Sequence, residues 1–169
     1  DPGFNFVRID TNGFVTNWSG ITGVRDEIKL ATVPATANGF TNGTMFFGNA
    51  TNIGRLLPNG TVSNLNWVTL TNGLGTNDTL LRGSFYVDQT AQFGGKLIAV
   101  TGGDGGEEGG GVWTITAAGA TTLLTTISNT HLEGVITLTN NAAKWGPWAG
   151  KIVTGAESAL PPAIYAIST

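Results

Sequence analysis

The sequence predicts an all-β fold made of short antiparallel strands, and three observations lead to this prediction. Glycine and β-branched residues recur along the whole chain, and no long stretch keeps apolar residues at helical spacing. Asn-Gly pairs favour tight hairpin turns because both residues tolerate positive φ angles. Five such pairs occur, at Asn12-Gly13, Asn38-Gly39, Asn42-Gly43, Asn59-Gly60 and Asn72-Gly73. The third observation is internal repetition, which sets the repeating unit.

The first part of each repeat is a predicted β-hairpin. Three segments share an apolar strand that runs into a turn glycine, and they are Phe6 to Gly13, Ile53 to Gly60 and Val112 to Gly119. A second apolar segment follows each of them, at Phe14 to Trp18, Thr61 to Val68 and Ala120 to Ile127. Two strands that flank a glycine turn predict an antiparallel pair.

Two further strands complete the unit. A short apolar strand opened by glycine occurs at Gly43 to Gly48, Gly95 to Val100 and Gly150 to Gly155. Before each of these lies another predicted strand, at Ile28 to Val33, Ser84 to Asp88 and Val135 to Thr139. Four strands repeated at roughly 50 residues match the period and strand count of a β-propeller blade. A β-sandwich or a β-solenoid is the alternative, because short strands with glycine-rich turns suit those folds too.

The repeats predict one propeller-like array without separate domains. Its expected parts are a partial blade over residues 1–23, blades over 24–79 and 80–130, and a partial blade over 131–169. The last predicted strand, Ala163 to Ser168, would be the third of its blade, and closed propellers usually have at least four blades. We therefore expect either a longer native protein or copies whose terminal strands complete one another's blades.

The amino-acid composition limits the possible cellular location and the possible binding partners of the protein. Charged residues make up 11% of the chain and the net charge is -3, so the basic surface of a nucleic-acid-binding protein is absent. No cysteine is present, which excludes disulfides, thiolate zinc sites and cysteine nucleophiles. Abundant Thr, Asn and Gly with few Lys and Glu is typical of bacterial extracellular β proteins, so we expect a secreted or cell-surface location. No apolar run reaches the roughly 18 residues of a membrane-spanning helix, so we expect no membrane span in this segment.

One combination of motifs resembles a known family. The segment Val7-Arg8-Ile9 places an arginine between apolar residues ahead of the turn at Gly13, and a Gly-x-apolar strand such as Gly95 to Val100 belongs to the same unit. This pattern resembles the blades of NHL-like and SMP-30-like propellers. The resemblance implies a calcium ion held by carboxylates at the entry to the innermost strands, with Asp26 and Glu133 as its ligands here. It also implies a calcium-dependent hydrolase or lactonase activity.

The segments that lead into the predicted innermost strands carry most of the candidate chemistry. Asp26 and Glu27, then Arg82, then His131 and Glu133 occupy equivalent entry points. Calcium takes six to eight oxygen ligands, whereas this set supplies two carboxylates, with Arg82 where a third is expected. An ion pair that ties neighbouring blades together is the alternative interpretation. His131 is the only histidine in the chain and is a candidate general base or binding residue.

Two other segments have a composition that could form a site. Trp145-Gly146-Pro147-Trp148 lies in a predicted loop, where two neighbouring rings could contact a carbohydrate or a protein. The glycine-rich segment 102–111 lacks the Lys-Ser/Thr of a phosphate-binding loop and is interpreted as a connecting loop. No Gly-x-Ser-x-Gly motif is present, which argues against a serine hydrolase. The sequence therefore favours a non-enzymatic extracellular structural or binding module that requires no cofactor, with the calcium-dependent hydrolase and a lectin as alternatives.

Overall fold

The structure, a computed structural model, describes residues 6–22, 24, 29–70, 81–102, 110–157 and 162–168. These residues contain thirteen β-strands, one short α-helix and one 3-10 turn. The strands form four antiparallel sheets. The prediction of an all-β fold is therefore confirmed. No helix in the described part of the chain has the length and apolar character needed to cross a membrane.

In each sheet, consecutive strands of the chain lie side by side. The N-terminal hairpin consists of β1 (Val7–Ile9) and β2 (Val15–Asn17). Sheet I consists of β3 (Leu30–Thr32), β4 (Met45–Asn49), β5 (Asn52–Leu56) and β6 (Val62–Thr69). Sheet II consists of β7 (Ser84–Val87), β8 (Leu97–Val100), β9 (Gly110–Ile115) and β10 (Thr121–Ile127). Sheet III consists of β11 (Leu132–Thr137), β12 (Ile152–Ala156) and β13 (Ala163–Ile167).

All the strands predicted for the repeat are found, but some of their ends differ. The first strand of sheet III was expected at 135–139, whereas β11 begins at Leu132 and ends at Thr137. It ends earlier because the Asn141 side chain accepts a hydrogen bond from the Lys144 backbone N–H and caps a helix, α1 (Ala142–Trp145). The 3-10 turn Gly146–Trp148 follows α1 directly. Sequence patterns missed this helix, because a single turn is too short to show helical periodicity.

Sheet II lies between sheets I and III, and its strands β8 and β9 are buried on both faces. Along β8, Leu97 and Ala99 pack in the apolar cluster shared with sheet I, whereas Ile98 and Val100 pack in the cluster shared with sheet III. All four residues have no exposed surface. This alternation follows from the two-residue period of a strand. Full burial of Leu97, Ile98 and Val100 stabilises the fold by about 1.5–3 kcal/mol for each side chain.

The N-terminal hairpin is attached to the opposite face of sheet I. Phe47 on β4 is fully buried and meets Phe6 edge to face, with 5.1 Å between the ring centroids. Its neighbour Phe46 points to the other face and stacks on Trp67, with 4.9 Å between centroids. The order of packed layers is therefore hairpin, sheet I, sheet II and sheet III.

The first strands of the three large sheets lie close together. β7 contacts both β3 and β11. Lys29, immediately before β3, places its Nζ 2.7 Å from Oε1 of Glu133 on β11. Sheets stacked flat lie about 10 Å apart, which would separate sheets I and III by about 20 Å. The two extended side chains and their contact span at most about 14 Å, so sheets I and III converge at their first strands.

Candidate functional site

The described residues that lead into β3, β7 and β11 lie at one edge of the array, where β7 contacts both other strands. Lys29 precedes β3, Arg82 lies two residues before β7, and His131 immediately precedes β11. The Gly134 backbone N–H donates a hydrogen bond of 2.9 Å to Ser84 Oγ, which joins the start of β11 to the start of β7. Asp26 and Glu27 lie outside the described residues.

Glu133 is at the centre of a charged cluster, which we define as Lys29, His131, Glu133 and Glu157. Its Oε1 lies 2.7 Å from Lys29 Nζ and 3.5 Å from His131 Nε2. His131 Nε2 also lies 3.7 Å from Glu157 Oε2. The pairing of β11 with β12 sets Glu133 opposite Gly155, which brings Glu157 beside His131. The Glu157 backbone N–H donates to the His131 carbonyl at 2.9 Å and fixes this arrangement.

His131 is buried against a glycine at the end of sheet II. A Cβ atom on Gly102 would lie 2.5 Å from Cδ2 of the imidazole, which is too close for any side chain larger than hydrogen. Gly102 begins the glycine-rich segment that the sequence analysis interpreted as a connecting loop. Residues 103–109 of that segment lie outside the described residues, but Gly102 itself has the specific role of admitting the His131 ring.

The surroundings of Glu133 keep it ionised. Burial raises the pKa of this carboxyl, but the hydrogen bond and charge of Lys29, with a smaller effect of His131, outweigh burial and lower the pKa below its usual value. Both members of the Lys29–Glu133 pair are about 30% exposed or less. Water therefore screens the pair only in part, and such pairs contribute at most about 1 kcal/mol.

A Lys29→Gln variant is expected to raise the pKa of Glu133, because the ammonium charge is lost while the burial remains. In the folded protein this pKa is depressed, so the stabilisation is complete above the unfolded-state value of about 4.3 and is lost as pH falls through the folded-state value. Titration of the Glu133 carboxyl carbon by NMR measures the change. Lys144→Gln, which removes a lysine from above the Trp145 ring, is the control and should leave Glu133 unchanged. An unaltered Glu133 titration in Lys29→Gln would contradict this account of the cluster.

The cluster can be compared with the calcium site that the family resemblance implies. The ligand atoms of His131, Glu133 and Glu157 lie within 4.8 Å of one another. Two carboxylates and one imidazole suit a transition metal better than calcium, which takes six to eight oxygens. Of the two expected calcium ligands, Asp26 lies outside the described residues and Glu133 is bound to Lys29. The described groups therefore do not make up a calcium site by themselves.

The second predicted site lies at the other end of β11. The Trp145 indole N–H donates to Thr139 Oγ1 at 3.0 Å, and Lys144 Nζ lies 4.5 Å from the centre of the Trp145 ring. Trp148, in the following 3-10 turn, is 42% exposed. Trp145 is thus held in place and half-buried, while Trp148 presents its ring to solvent. The structure does not bring these tryptophans to the charged cluster, because they follow β11 whereas His131 precedes it.

Sequence reasoning missed two residues that organise these edges. Lys29 forms an ion pair with Glu133 that was not predicted, and its place shortly after Asp26 and Glu27, just before a predicted strand, was the available signal. Asp88, 5% exposed, immediately follows β7 and accepts hydrogen bonds from backbone N–H groups and from threonine hydroxyls. Its Oδ1 accepts from the Thr90 N–H, the Thr90 hydroxyl and the Thr137 hydroxyl, and its Oδ2 accepts from the N–H groups of Phe93 and Gly95. The Asp-x-Thr spacing, which is typical of side-chain-capped turns, could have indicated this role.

The hydrogen bonds to Asp88 decide its charge state. Burial raises the pKa of Asp88, but the bonds from Thr90, Phe93 and Thr137 together outweigh burial and leave the pKa below its usual value. Because Thr137 belongs to β11, the ionised carboxylate also connects sheet II to sheet III.

Comparison of the chain with protein-family models and with curated proteins finds no match.

Proposed function

We propose that this chain is a non-enzymatic, extracellular binding module whose sheets are arranged as propeller blades. The convergence of sheets I and III at their first strands supports a radial arrangement over a flat sandwich, since a flat stack would keep Lys29 and Glu133 too far apart to touch. The proposed extracellular location rests on the composition of the chain, which is rich in Thr, Asn and Gly and free of cysteine.

The charged cluster supports a binding module over a calcium-dependent hydrolase. Glu133, the carboxylate that the family resemblance assigns to calcium, holds the Lys29 ammonium at 2.7 Å. A cation bound to Glu133 would have to displace Lys29 or share the carboxylate with it. The Lys29–Glu133 pair also joins sheet I to sheet III, so it has a structural role that is independent of any catalytic activity.

The exposure of Trp148 is the observation that carries the proposed binding. A large aromatic side chain 42% exposed on a turn of fixed conformation presents contact area at little cost in side-chain entropy. The hydrogen bond from the Trp145 indole to Thr139 ties the residues before this turn to the segment just after β11. A flat ring in this position suits the apolar face of a carbohydrate or a side chain of a protein partner.

The test of this proposal is a glycan array followed by affinity measurement on the best ligand. Trp148→Ala is expected to weaken binding about tenfold or more, because aromatic anchors dominate binding energies. Phe14→Ala is the matched control, since Phe14 is an exposed aromatic on the N-terminal hairpin. Equal binding by the two variants, or no glycan bound by the native chain, would overturn the carbohydrate-binding proposal. A partner protein lost only in Trp148→Ala would support the protein-binding form.

A calcium-dependent hydrolase is the second candidate, because Glu133 and Glu157 place two carboxylates beside His131, although calcium would need further oxygen ligands there. Calcium binding measured by calorimetry on the native chain would place this candidate ahead if it is lost in Glu133→Gln. Calcium binding that survives this change would have to lie elsewhere.

Exposed apolar side chains on the hairpin and on sheet III support assembly between copies as a further part of the proposal. Val7, Ile9 and Val15 on the hairpin are each about half exposed or more, and so are Ile136 and Ile164 on sheet III. By strand register, Ile9 lies opposite Val15. β13 pairs only with β12 among the described strands, so its other edge is open to a further strand. Native mass spectrometry tests this idea, with dimers or larger assemblies expected and a monomer at all concentrations contradicting it.

A further inference from the structure

A cavity of about 370 Å³ lies between two strand connections, and its described lining residues include no member of the charged cluster and neither Trp145 nor Trp148. One wall is the connection between β3 and β4, and the other is the connection between β7 and β8. Val33, Phe40 and Val87 line it and are buried members of the core cluster between sheets I and II. The cavity therefore has an apolar floor, and its volume lies within the range of small-molecule sites, roughly 300–1,000 Å³.

The described part of the lining offers a ligand no available charge. Among the described residues that line the cavity, Asp88 is the only ionisable one. Its two carboxylate oxygens already accept five hydrogen bonds, and a carboxylate has about four lone-pair positions. An ionic ligand would thus enter an apolar space without a partner, which is unfavourable. The cavity suits an uncharged ligand.

Two carboxamides provide the polar contacts. Asn38 lies on one wall and Gln89 on the other, and both are exposed. Neither side chain forms a hydrogen bond with another residue in the described part of the chain. A carboxamide offers one acceptor oxygen and a two-proton donor, so the pair can bind the C=O and the N–H of a second amide.

The backbone holds both walls in an uncommon conformation. Asn38 has a φ of 52° and Ala91 has a φ of 60°, which is the left-handed region for residues with a side chain. The mutual hydrogen bonds of Ala37 and Phe40, at 2.9 and 3.2 Å, hold the first turn. Asp88 holds the second through its bonds to the N–H groups beyond Ala91. Conformations of this kind persist where the surroundings fix them and cluster at ligand sites.

We propose that this cavity binds a small uncharged ligand that carries a secondary amide beside an apolar group, such as an N-acetylated sugar or a capped amino acid. The apolar group packs on Val33, Phe40 and Val87. The amide oxygen accepts from one carboxamide, and the amide N–H donates to the other. Trp148 is not among the described residues that line the cavity, and the proposal does not rest on the binding proposed for Trp148.

The test is an NMR titration with two amide probes, N-acetylglucosamine and N-acetylalanine methylamide, with glucose as the probe that lacks an amide. At least one amide probe is expected to shift the side-chain amide signals of Asn38 and Gln89, and glucose is not. Which of the two probes binds more tightly distinguishes a sugar from a peptide as the source of the amide. If neither amide probe shifts these signals, or if glucose shifts them equally, the proposal is wrong.

Two matched variants localise the effect. Asn38→Gly keeps the positive φ without strain and removes the carboxamide, so it is expected to weaken the bound probe at least about fivefold. Asn129→Gly removes another positive-φ asparagine that does not line the cavity, and it should leave the affinity unchanged. Equal losses in the two variants, or no loss in Asn38→Gly, would overturn the assignment. Gln89→Ala removes the carboxamide of the other wall and is expected to weaken the bound probe as well. Trp148→Ala should have no effect on this binding.

Discussion

Replacing Asp88 with alanine is expected to lower the free energy of unfolding by about 3–5 kcal/mol. The carboxylate accepts five hydrogen bonds, two of them from the buried residues Phe93 and Gly95, whose N–H groups would lose their acceptor. The change also removes the contact from Thr137, which connects sheets II and III. Urea unfolding followed by tryptophan fluorescence measures the loss.

Asp10 provides the matched control for Asp88. Its carboxylate also caps a turn, by accepting from the N–H groups of Asn12 and Phe14, but it is exposed. Asp10→Ala should therefore cost only about 0.5 kcal/mol. Equal losses in the two variants would show that burial of the Asp88 network contributes nothing.

The pH dependence of stability provides a second measurement on Asp88. Because the pKa of Asp88 is lower in the folded state, its contribution is complete above the unfolded-state value of about 3.9. The contribution is lost as pH falls through the folded-state pKa. As the pH is lowered from about 5, the free energy of unfolding should accordingly decrease less in Asp88→Ala than in the native chain.

Replacing Gly54 with alanine is expected to destabilise the chain by about 2–4 kcal/mol. Gly54 on β5 pairs in register with Phe47 on β4, and a Cβ atom at position 54 would lie 2.1 Å from Cζ of the Phe47 ring. The ring cannot easily move away, because Phe47 is fully buried and packs edge to face on Phe6. Thermal and urea unfolding measure the effect.

A double variant separates the ring contact from other effects of the alanine. Combining Gly54→Ala with Phe47→Leu should cost less than the sum of the two single changes, because the smaller side chain leaves room for the new Cβ. Gly20→Ala is the control, since a Cβ there would meet no atom within 4 Å and the backbone has no positive φ. Strictly additive losses would mean that the steric contact with Phe47 is not the cause.

The strands and their order could be predicted from sequence because their signals are local. Asn12-Gly13 does lie between β1 and β2, and Asn59-Gly60 does lie between β5 and β6. Asn38-Gly39 instead lies within the connection that lines the cavity, and Asn72-Gly73 lies outside the described residues. A turn dipeptide thus predicts a turn reliably, while the type of connection depends on the strands around it.

The candidate sites were harder to predict, because they depend on how the sheets meet. Lys29 and Glu133 are 104 residues apart, and only the convergence of sheets I and III brings them into contact. His131 and Glu133 could be singled out from their place before a predicted strand, but Glu157 could not, since its position depends on the register of β11 and β12. The repeat indicated which edge would carry charged residues, but not which of them would pair.

Because β8 in sheet II is buried on both faces, its unfolding affects two apolar cores at once. Leu97 and Ala99 belong to one apolar core, whereas Ile98 and Val100 belong to the next. The single strand β8 therefore contributes side chains to both cores. Opening β8 would dissolve the two cores together, whereas the N-terminal hairpin can separate while both remain intact. Sheet II is therefore the cooperative unit whose local unfolding approaches global unfolding, and the hairpin belongs to the low-stability end of the molecule.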